Sequence, residues 1–240
     1  MDFESRVELA YRTVLEPGDF ALDIGAHRGR HTVPMAQTVG VEGRIWAFEP
    51  LPTARLELHS ALENARGAGG LADVHVRPEA LSHRTGFSPY VFVSNWPEYS
   101  GLRERVYDAE VELKSLQVQT LRLDDALEGE PRIRLIKVDA EGGEYDILRG
   151  GAGRLASDRP VILFEFGDHG ITGYPEVTSA LMAELLIAAD FDLFDILGRP
   201  LDREAFVRSS DEQSVWDYAA VPTEAGDVRD RLLEALTRAS

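Results

Sequence analysis

The most chemically informative stretch of this sequence is "LIKVDAEGGEYDILRGG", residues 135–151. An apolar run with strand character carries Lys137 inside it and ends in Asp139 and Glu141, directly before two glycines. Burying charged groups costs free energy unless they are paired or used. Acids at the end of a buried strand can act as a general base or as ligands of a hard metal ion, so this stretch is a candidate reaction centre.

A second acid stands near the end of the next apolar run, where Glu165 lies in "VILFEF" (161–166) and His169 follows in a Gly-rich loop. Two neighbouring strand ends that offer carboxylates beside a histidine fit an acid/base site or a metal site. Structural alternatives stay open. His169 could be an ordinary polar loop residue, Glu144 could stabilise the first turn of the following helix, and Lys137 could form an internal ion pair.

The first apolar run leads into a glycine loop, "FALDIGAHRGRHT" (20–32), with Asp23 near the strand end and Gly25 and Gly29 around a turn. Glycines serve where the backbone needs a positive φ or where a ligand comes close. The spacing is G-x-x-x-G, whereas a dinucleotide fingerprint is G-x-G-x-x-G. The Asp23 carboxylate would repel a pyrophosphate and attract a cationic amino group. An adenosyl donor with an amino-acid tail and a sulfonium therefore fits better than NAD.

The next strand ends in "AFEP", which places Glu49 twenty residues after Gly29. An acid at this distance and at the tip of the second strand is well placed to accept hydrogen bonds from both ribose hydroxyls. Glu49 alone could be a solvated strand end, but together with the glycine loop it predicts an adenosine-type cofactor.

Short apolar runs alternate with amphipathic segments along the whole chain. Continuous apolar runs are typical of strands buried on both faces of a parallel sheet, and we predict strands at 20–24, 44–48, 72–76, 134–138, 161–166, 191–196 and 214–221. Two helical faces are predicted, formed by Ala54, Leu58, Leu62 and Ala65 and by Val177, Leu181, Leu185 and Ala188. The alternation predicts an α/β fold with a doubly wound sheet, and without a linker in the sequence we predict a single domain over residues 1–240.

Two segments interrupt the alternation. Residues 83–119 contain two extra strand-like runs joined by a loop with Trp96 and Tyr99, and residues 167–175 form a Gly-rich loop. Insertions at the ends of a rigid sheet often carry binding residues, so both are candidates for a lid or substrate wall. An edge hairpin and a plain connector are the alternatives.

The amino-acid composition limits which binding partners and which cellular compartment we expect for this chain. With 25 Lys and Arg against 42 Asp and Glu, the net charge is -17, which disfavours nucleic acid and anionic membrane surfaces. The absence of cysteine excludes disulfides, thiolate metal sites and a cysteine nucleophile. The N-terminus is acidic, whereas a signal peptide begins with a basic region followed by an apolar core. No apolar run is long enough for a membrane span. We therefore expect a soluble, cytoplasmic protein of unknown oligomeric state.

Five motifs, "LDIGAHRG", "AFEP", "EALS", "LIKVDAEGGEYDILRGG" and "PVILFEF", resemble in this order the FkbM family of S-adenosylmethionine-dependent methyltransferases, over roughly residues 15–200. The resemblance implies a class I methyltransferase (Rossmann-like) fold, with a mostly parallel, seven-stranded sheet and "SVWDYAAV" as its antiparallel last strand. The chain departs from the family at His27, where Asn is usual, and in "DAEGGE", where the family usually has D-V-E-G-A-E. Neither departure removes a carboxylate or a loop glycine.

The resemblance also implies roles for individual residues. The loop with Asp23, Gly25, His27 and Gly29 would hold the methionine part of the cofactor. Glu49, followed by Pro50, would bind the ribose, Ala80 and Leu81 would lie near the adenine, and Asp139 and Glu141 would lie beside the transferring methyl group.

The implied activity is S-adenosylmethionine-dependent O-methyl transfer to a hydroxyl of a small molecule, such as a natural product or a sugar moiety. Asp139 is the first candidate for the base, followed by Glu165 and His169. A second version of the mechanism has a Mg²⁺ ion bound by Asp139 and Glu165, which would acidify and orient the hydroxyl. An NAD-dependent oxidoreductase and a non-catalytic cofactor-binding module are the alternative functions.

Overall fold

The computed structural model describes residues 2–67 and 69–239, and its centre is a sheet of eight strands. These strands are β1 (Phe20–Ile24), β2 (Arg44–Phe48), β3 (Asp73–Arg77), β7 (Ile133–Val138), β8 (Val161–Glu165), β9 (Phe191–Asp195), β10 (Pro200–Leu201) and β11 (Asp217–Pro222). A second sheet has three strands, β4 (Ala80–Leu81), β5 (Gly86–Val93) and β6 (Leu113–Leu121).

Ten α-helices lie within the described residues. They are α1 (Phe3–Val14), α2 (Thr32–Val39), α3 (Pro52–Arg66), α4 (Leu123–Ala126), α5 (Glu144–Gly150), α6 (Ala152–Asp158), α7 (Asp168–Ile171), α8 (Ser179–Ala188), α9 (Arg203–Glu212) and α10 (Gly226–Arg238). A short 3₁₀ helix spans Pro97–Tyr99.

The strand order of the large sheet is β10-β9-β11-β8-β7-β1-β2-β3. The pairs from β3 to β8 are parallel, and β11 lies antiparallel between β8 and β9. The order reverses between β1 and β7, so a crevice opens at the carboxyl ends of these strands, where ligands bind in such sheets. The predicted seven strands and the antiparallel last strand are present. The eighth, β10, was not predicted, because two residues form too short a run for an apolar pattern.

Helices cover both faces of the sheet, which explains the continuous apolar runs. Along β1, Ala21 belongs to the core cluster that contains buried residues of α1, α2 and α10, whereas the next residue, Leu22, belongs to the cluster with buried residues of α5, α6, α8 and α9. Both side chains are completely buried. Because successive side chains of a strand point to opposite faces, a strand with helices on both sides must be apolar at every position.

The predicted face of α8 was wrong. The Oγ1 of Thr178 accepts a hydrogen bond from the backbone N–H of Leu181, and the helix therefore begins at Ser179. Met182 and Leu186 are buried, whereas Leu181 is only partly covered. Apolar residues lie all around this helix, so its sequence pattern does not single out one face.

The predicted insertion forms the second sheet, in which β5 and β6 are antiparallel and β4 is parallel to β6. The sheet therefore begins at residue 80, slightly before the predicted boundary at 83. The loop 94–112 between β5 and β6 reaches back to the carboxyl ends of the large sheet. No helix within residues 2–67 and 69–239 is long and apolar enough to cross a membrane.

Candidate active site

A cavity of about 210 Å³ opens at the carboxyl ends of β1, β2 and β7. Its wall contains eight residues that the sequence predicts for the site: Gly25, His27, Glu49, Pro50, Ala80, Leu81, Asp139 and Glu141. Residues of the loop 97–102 also lie on the wall. Two predicted cofactor residues, Asp23 and Gly29, are not on this wall, and Glu165 and His169 lie at a neighbouring cavity.

The glycine loop is shaped by protein contacts. Gly25 has a φ of +81°, and a Cβ atom there would overlap the backbone carbonyl oxygen of Asp139. Gly29 has a φ of +87°, and a Cβ atom there would press against Leu58. The prediction that glycines serve backbone conformation or close approach is therefore right in kind, but the groups that approach closely belong to the protein itself.

Asp23 lies beneath the cavity and is completely buried. Its Oδ2 accepts a hydrogen bond of 2.6 Å from the hydroxyl of Thr32, the first residue of α2. Its Oδ1 lies 3.9 Å from the Lys137 ammonium. Asp23 thus joins β1, α2 and β7. Its Oδ1 has no hydrogen-bond partner among the described residues, so the attraction of Asp23 for the amino group of a ligand stays a prediction.

Glu49 is 4% exposed and stands directly after β2. Its Oε1 accepts a hydrogen bond of 2.7 Å from the N–H of Leu51, and its Oε2 accepts one of 2.9 Å from the N–H of His27. Burial raises the pKa of Glu49 to about 7, although these two hydrogen bonds favour the ionised form. A carboxylate has about four acceptor positions, so both oxygens retain the capacity to accept ribose hydroxyls.

Lys137 and Asp139 explain the charges inside the buried strand. Lys137 Nζ donates a hydrogen bond of 3.1 Å to Asp139 Oδ2 and is 5% exposed. Burial by itself lowers the pKa of Lys137, but Asp139 and Asp23 outweigh burial and raise it. Burial also favours protonated Asp139, but the Lys137 charge outweighs it and holds the pKa of Asp139 below its usual value. The predicted base is therefore an ionised carboxylate.

Glu141 links this strand end to the insertion. Its backbone φ is +55°, an uncommon value for a residue with a side chain, and its carboxylate forms an ion pair with Arg105. Burial and the neighbouring Asp139 carboxylate raise the pKa of Glu141 well above its usual range, and Arg105 offsets part of this rise.

Glu144 adopts the structural role that the sequence left open. Its Oε1 accepts hydrogen bonds from the N–H groups of Ala140 (2.7 Å) and Gly142 (3.2 Å), which closes the turn before α5. Burial raises the pKa of Glu144 to about 7. A Cβ atom on Gly142 would overlap the carbonyl oxygen of Gly170, so this glycine allows the loop after β8 to pack against the turn.

A second, smaller cavity of about 80 Å³ lies beside Glu141 and is lined by Glu165, Gln213 and Trp216 among others. Burial and the Asp139 carboxylate raise the pKa of Glu165 well above its usual range. Asp217, the strand partner of Glu165 on β11, has a pKa raised to about 7 mainly by burial. Burial and the nearby Asp139 carboxylate therefore both favour the protonated form of Glu165.

His169 lies at the rim of the second cavity. Its side chain is 62% exposed and stands 3.5 Å from the still more exposed side chain of Asp108. No hydrogen bond joins it to Asp139 or Glu165 within the described part of the chain. The structure therefore places His169 away from the cavity that contains Asp139.

The predicted Mg²⁺ site is not supported. Among the residues that the structure describes, no group of three or more His, Cys, Asp and Glu side chains could hold a metal ion. Asp139 Oδ2 already binds Lys137. Two carboxyl groups, one of them paired with an ammonium group, fall short of the several oxygen ligands that a hard cation requires.

The two segments predicted as a lid or wall contact each other. The Arg103 guanidinium of the insertion lies 2.6 Å from Glu176 and 4.4 Å from the ring centre of Tyr174. The N–H of Val106 donates a hydrogen bond of 3.0 Å to the hydroxyl of Thr172. The loop 94–112, called the lid below, is therefore fixed to the segment 167–177 at the edge of both cavities.

Sequence reasoning missed Glu4, His31 and Arg105. Glu4 and His31 line the first cavity, and Arg105 lines the second. Glu4 belongs to α1, which precedes every motif, and Arg105 lies in a loop without regular structure, so no sequence signal marks either residue. His31 lies at the end of the glycine-loop stretch, directly before α2, where its spacing from the other motif residues does not mark it.

The first cavity fits an adenosyl amino acid. Near Glu49 its wall is apolar, with Leu51, Ala80, Leu81 and Tyr90, as a nucleoside requires. At the opposite end Glu4, Arg30, His31, Lys137 and Asp139 provide charges of both signs. In addition, the Nε2 atom of His27 and the Nδ1 atom of His31 are buried without a hydrogen-bond partner among the described residues. Such atoms are expected where a bound group completes the site.

Comparisons with known proteins place these features in a family. The family model described as the methyltransferase FkbM domain matches residues 23–191. The fold is similar to that of methyltransferase FkbM from Methylobacillus flagellatus KT, with a TM-score of 0.52, 14% sequence identity, and coverage of 88% of this chain and 47% of that chain. This chain therefore spans about half the length of that protein.

A putative rRNA methylase from Clostridium thermocellum is also similar, with a TM-score of 0.52, 12% identity, and coverage of 92% of this chain and 97% of that chain. At these identities the similarity concerns the fold alone. Comparison with curated protein sequences gives no match. The predicted class I methyltransferase fold is confirmed.

Proposed function

The chain belongs to the FkbM methyltransferase family, and we propose that it is an O-methyltransferase that transfers a methyl group from S-adenosylmethionine to a hydroxyl of a small molecule. The observation that carries this proposal is the position of Asp139. Its carboxylate stands at the end of β7, on the wall of the cavity that also contains the ribose-binding candidate Glu49. Lys137 keeps it ionised and thus able to accept a proton.

When bound, S-adenosylmethionine supplies a methyl group that its sulfonium charge has already activated. Glu49 accepts hydrogen bonds from the ribose, and Leu51, Ala80 and Leu81 enclose the adenine. Asp139 orients the acceptor hydroxyl and accepts its proton as the oxygen attacks. Much of the rate enhancement then comes from holding the two reactants in line at short distance.

The acceptor approaches Asp139 from the second cavity in this proposal. That cavity shares Glu141 with the first one and carries a carboxyl group, a carboxamide and an indole ring on Glu165, Gln213 and Trp216. These groups suit an uncharged, hydroxylated molecule such as a natural product or a sugar. The net charge of -17 disfavours nucleic acid and anionic membranes as partners. The cytoplasmic location stays a prediction.

The other two functions have less support. The glycine loop lacks the dinucleotide spacing, and the family is one of methyltransferases, so an NAD-dependent oxidoreductase is disfavoured. A non-catalytic module would bind the cofactor without turnover. The ionised Asp139 at the cavity favours the enzyme.

Calorimetric titration with S-adenosylhomocysteine tests the cofactor site. We expect micromolar binding that Glu49→Ala weakens about 10-fold or more, since hydrogen bonds to a charged group contribute about 1.5–3 kcal/mol. Glu63→Ala, on the exposed side of α3, is the control. If the folded wild type does not bind, the proposal is wrong.

Methyl transfer to a panel of glycosides, polyols, phenols, amines and carboxylic acids tests the reaction. We expect O-methyl products, and a rate that falls about 10²–10⁴-fold in Asp139→Asn while S-adenosylhomocysteine still binds. Products methylated only on nitrogen or carboxylate would contradict O-methyl transfer. Binding without any turnover would support the non-catalytic module.

A further inference from the structure

The two cavities of the site meet at one residue, Glu141, which lines both of them. The second cavity has a volume of about 80 Å³. Because a water molecule in the liquid occupies about 30 Å³, this space corresponds to about two or three water molecules. A sugar or another ring-containing acceptor does not fit into it. Such an acceptor can reach Asp139 through this cavity only if the residues around the cavity move.

The lid holds Glu141 in its position. The φ of Glu141, +55°, lies in the left-handed region, which a residue with a side chain keeps only where its surroundings hold it. Arg105 of the lid forms an ion pair with its carboxylate, and the two side chains are 11% and 18% exposed. The lid backbone also packs closely here, since a Cβ atom on Gly101 would stand 3.4 Å from the Cβ atom of Glu141. The position of Glu141 therefore depends on whether the lid is closed.

The lid is firmly attached on both sides of its residues 103–109. On one side, Gly101 exchanges two backbone hydrogen bonds with Val91 of β5, of 2.8 and 3.1 Å. On the other side, the N–H of Ser94 donates to the carbonyl oxygen of Glu112 (2.8 Å), and the N–H of Glu112 donates to Oδ1 of Asn95 (2.9 Å). These contacts continue the second sheet, so they form a fixed frame for the residues between them.

Residues 103–109, called the lid tip below, are held less firmly than this frame. They contain no helix or strand, and none of them is a buried residue. Apart from the pair between Arg105 and Glu141, the tip is attached to the segment 167–177 mainly by Arg103 and by the N–H of Val106. Exposed ion pairs contribute little to stability, so the tip can detach at low cost while the frame stays in place.

We propose that the lid tip is a gate for the methyl acceptor and that the ion pair between Arg105 and Glu141 is its latch. This inference rests on the proposed function. In the closed state Glu141 separates the two cavities. When the tip moves outward, Arg105 leaves Glu141, the Glu141 side chain turns away, and the second cavity opens toward Asp139. The cofactor side of the first cavity, at β1 and β2, stays unchanged.

A disulfide that locks the lid tip tests the gate. The chain contains no cysteine, so Val106→Cys/Thr172→Cys introduces its only two thiols, at positions where the N–H of Val106 lies 3.0 Å from the hydroxyl of Thr172. On oxidation we expect methyl transfer to any acceptor that the wild type methylates to fall at least about 10-fold, because the open state is no longer reached. The affinity for S-adenosylhomocysteine should change less than about twofold. Dithiothreitol should restore the rate, and mass spectrometry verifies the crosslink.

Ser94→Cys/Glu112→Cys is the matched control, because it crosslinks two residues of the frame that a backbone hydrogen bond of 2.8 Å already joins. Its oxidation should leave the rate of methyl transfer and the affinity for S-adenosylhomocysteine unchanged. Circular dichroism confirms that each double variant is folded in both redox states.

The latch is tested without any acceptor by the distance between two spin labels, one on the tip at Val106→Cys and one on the exposed side of α3 at Glu63→Cys. We expect a main distance for the closed tip and a second, longer distance for the open tip. Arg105→Gln should raise the population with the longer distance at least about threefold. Arg122→Gln, which removes a surface pair with Asp124, should leave both populations unchanged.

An oxidised tip crosslink that leaves methyl transfer unchanged would overturn the gate, and so would one that weakens S-adenosylhomocysteine binding as much as it slows turnover. A single distance that Arg105→Gln does not alter would overturn the latch. All of these results would leave the proposed function intact. If the folded wild type binds S-adenosylhomocysteine but methylates no acceptor, the proposed function itself fails and the acceptor gate fails with it.

Discussion

The buried acids at the strand ends have different kinds of partners on the two sides of the crevice. At β1 and β2, Asp23 accepts a hydrogen bond from the Thr32 hydroxyl, and Glu49 accepts hydrogen bonds from the backbone N–H groups of Leu51 and His27. At β7 and β8, the Glu141 carboxylate is paired with Arg105 of the lid, and Glu165 has no ion-pair partner among the described residues. The hydrogen bonds to Asp23 and Glu49 come from the segments that follow β1 and β2, whereas the ion pair of Glu141 comes from the lid.

This difference in partners indicates which half of the site is more rigid. Backbone donors within a tight loop cannot move without unfolding the loop, so the cofactor side is preorganised. A charge supplied by a long loop can be withdrawn when the loop opens, which suits the side where an acceptor must enter and leave. Lys137 joins the two sides, because it lies near both Asp23 and Asp139.

Lys137→Met should give the largest loss of stability, because it removes the cation that the two sides share. Two buried carboxylates would remain without compensation, and breaking a buried ion pair costs about 3–5 kcal/mol. Asp139 has a lowered pKa in the folded state, so its contribution is present at pH 7 and lost as the pH falls through that pKa. Urea unfolding should therefore show a large deficit at pH 7 that shrinks below pH ~4.

Arg12→Met is the control for Lys137→Met. Arg12 forms a surface pair with Glu8, and its side chain is 41% exposed, so its loss should cost less than about 1 kcal/mol. A Lys137→Met variant as stable as this control would mean that the two sides are not coupled through Lys137.

Gly25→Ala should have the next largest effect, since Gly25 is the backbone contact between the two sides. A Cβ atom would overlap the Asp139 carbonyl oxygen, and the positive φ adds strain, for a total of about 2–5 kcal/mol. Binding of S-adenosylhomocysteine should be lost with the loop geometry. Urea unfolding and calorimetry measure the two effects.

Gly18→Ala separates the cost of the positive φ from the cost of the steric overlap with Asp139. Gly18 also has a positive φ, of +91°, but a Cβ atom there would meet nothing within 4 Å. Its substitution should cost about 1–2 kcal/mol and leave binding intact. Equal costs for the two variants would show that the contact between Gly25 and Asp139 contributes nothing.

The contrast between contacts within one segment and contacts between distant segments explains which features the sequence could predict. The bounds of β1 and β2 were predicted to the residue, and the positions of Gly25, Glu49 and Asp139 on the cavity wall follow from strand order and short loops. The strand bounds and the turns that follow them depend mainly on residues close in sequence. Prediction from local pattern therefore succeeds for the strand ends and their glycines and acids.

The features that the sequence did not predict are contacts between segments far apart in the chain. The role of Asp23 depends on Lys137 of another strand, and the ion pair of Glu141 depends on Arg105 in a loop without periodicity. The contact between Glu4 and His31 joins α1 to the start of α2. A single sequence contains no pattern that indicates such pairings.

Glu144→Gln tests how a buried acid after β7 contributes to the pH dependence of stability. The pKa of Glu144 rises from 4.5 to about 7 on folding, so the folded state binds more protons between these values and the free energy of unfolding falls as the pH rises through this window. Removing this group should reduce the loss of stability between pH 5 and pH 8 by up to about 3 kcal/mol. The carboxamide oxygen can still accept the two N–H groups that bind Oε1.

Urea unfolding across this pH range is the measurement, and Glu63→Gln on the exposed face of α3 is the control. The control should retain the wild-type pH dependence. If Glu144→Gln retains it as well, burial of Glu144 does not contribute to the pH dependence of stability.

Arg105→Gln should have the smallest effect on stability and the most local effect on dynamics. Burial already raises the pKa of Glu141, so this carboxyl can take up a proton when Arg105 is lost, which limits the cost to about 1–2 kcal/mol. The lid, residues 94–112, should open more often because one of its attachments is gone. Amide hydrogen exchange should become faster in the lid and stay unchanged in β1, and Arg122→Gln, a surface pair with Asp124, should change neither. Unchanged exchange in the lid would mean that Arg103 and Tyr174 suffice to hold it, and the acceptor side would then be as rigid as the cofactor side.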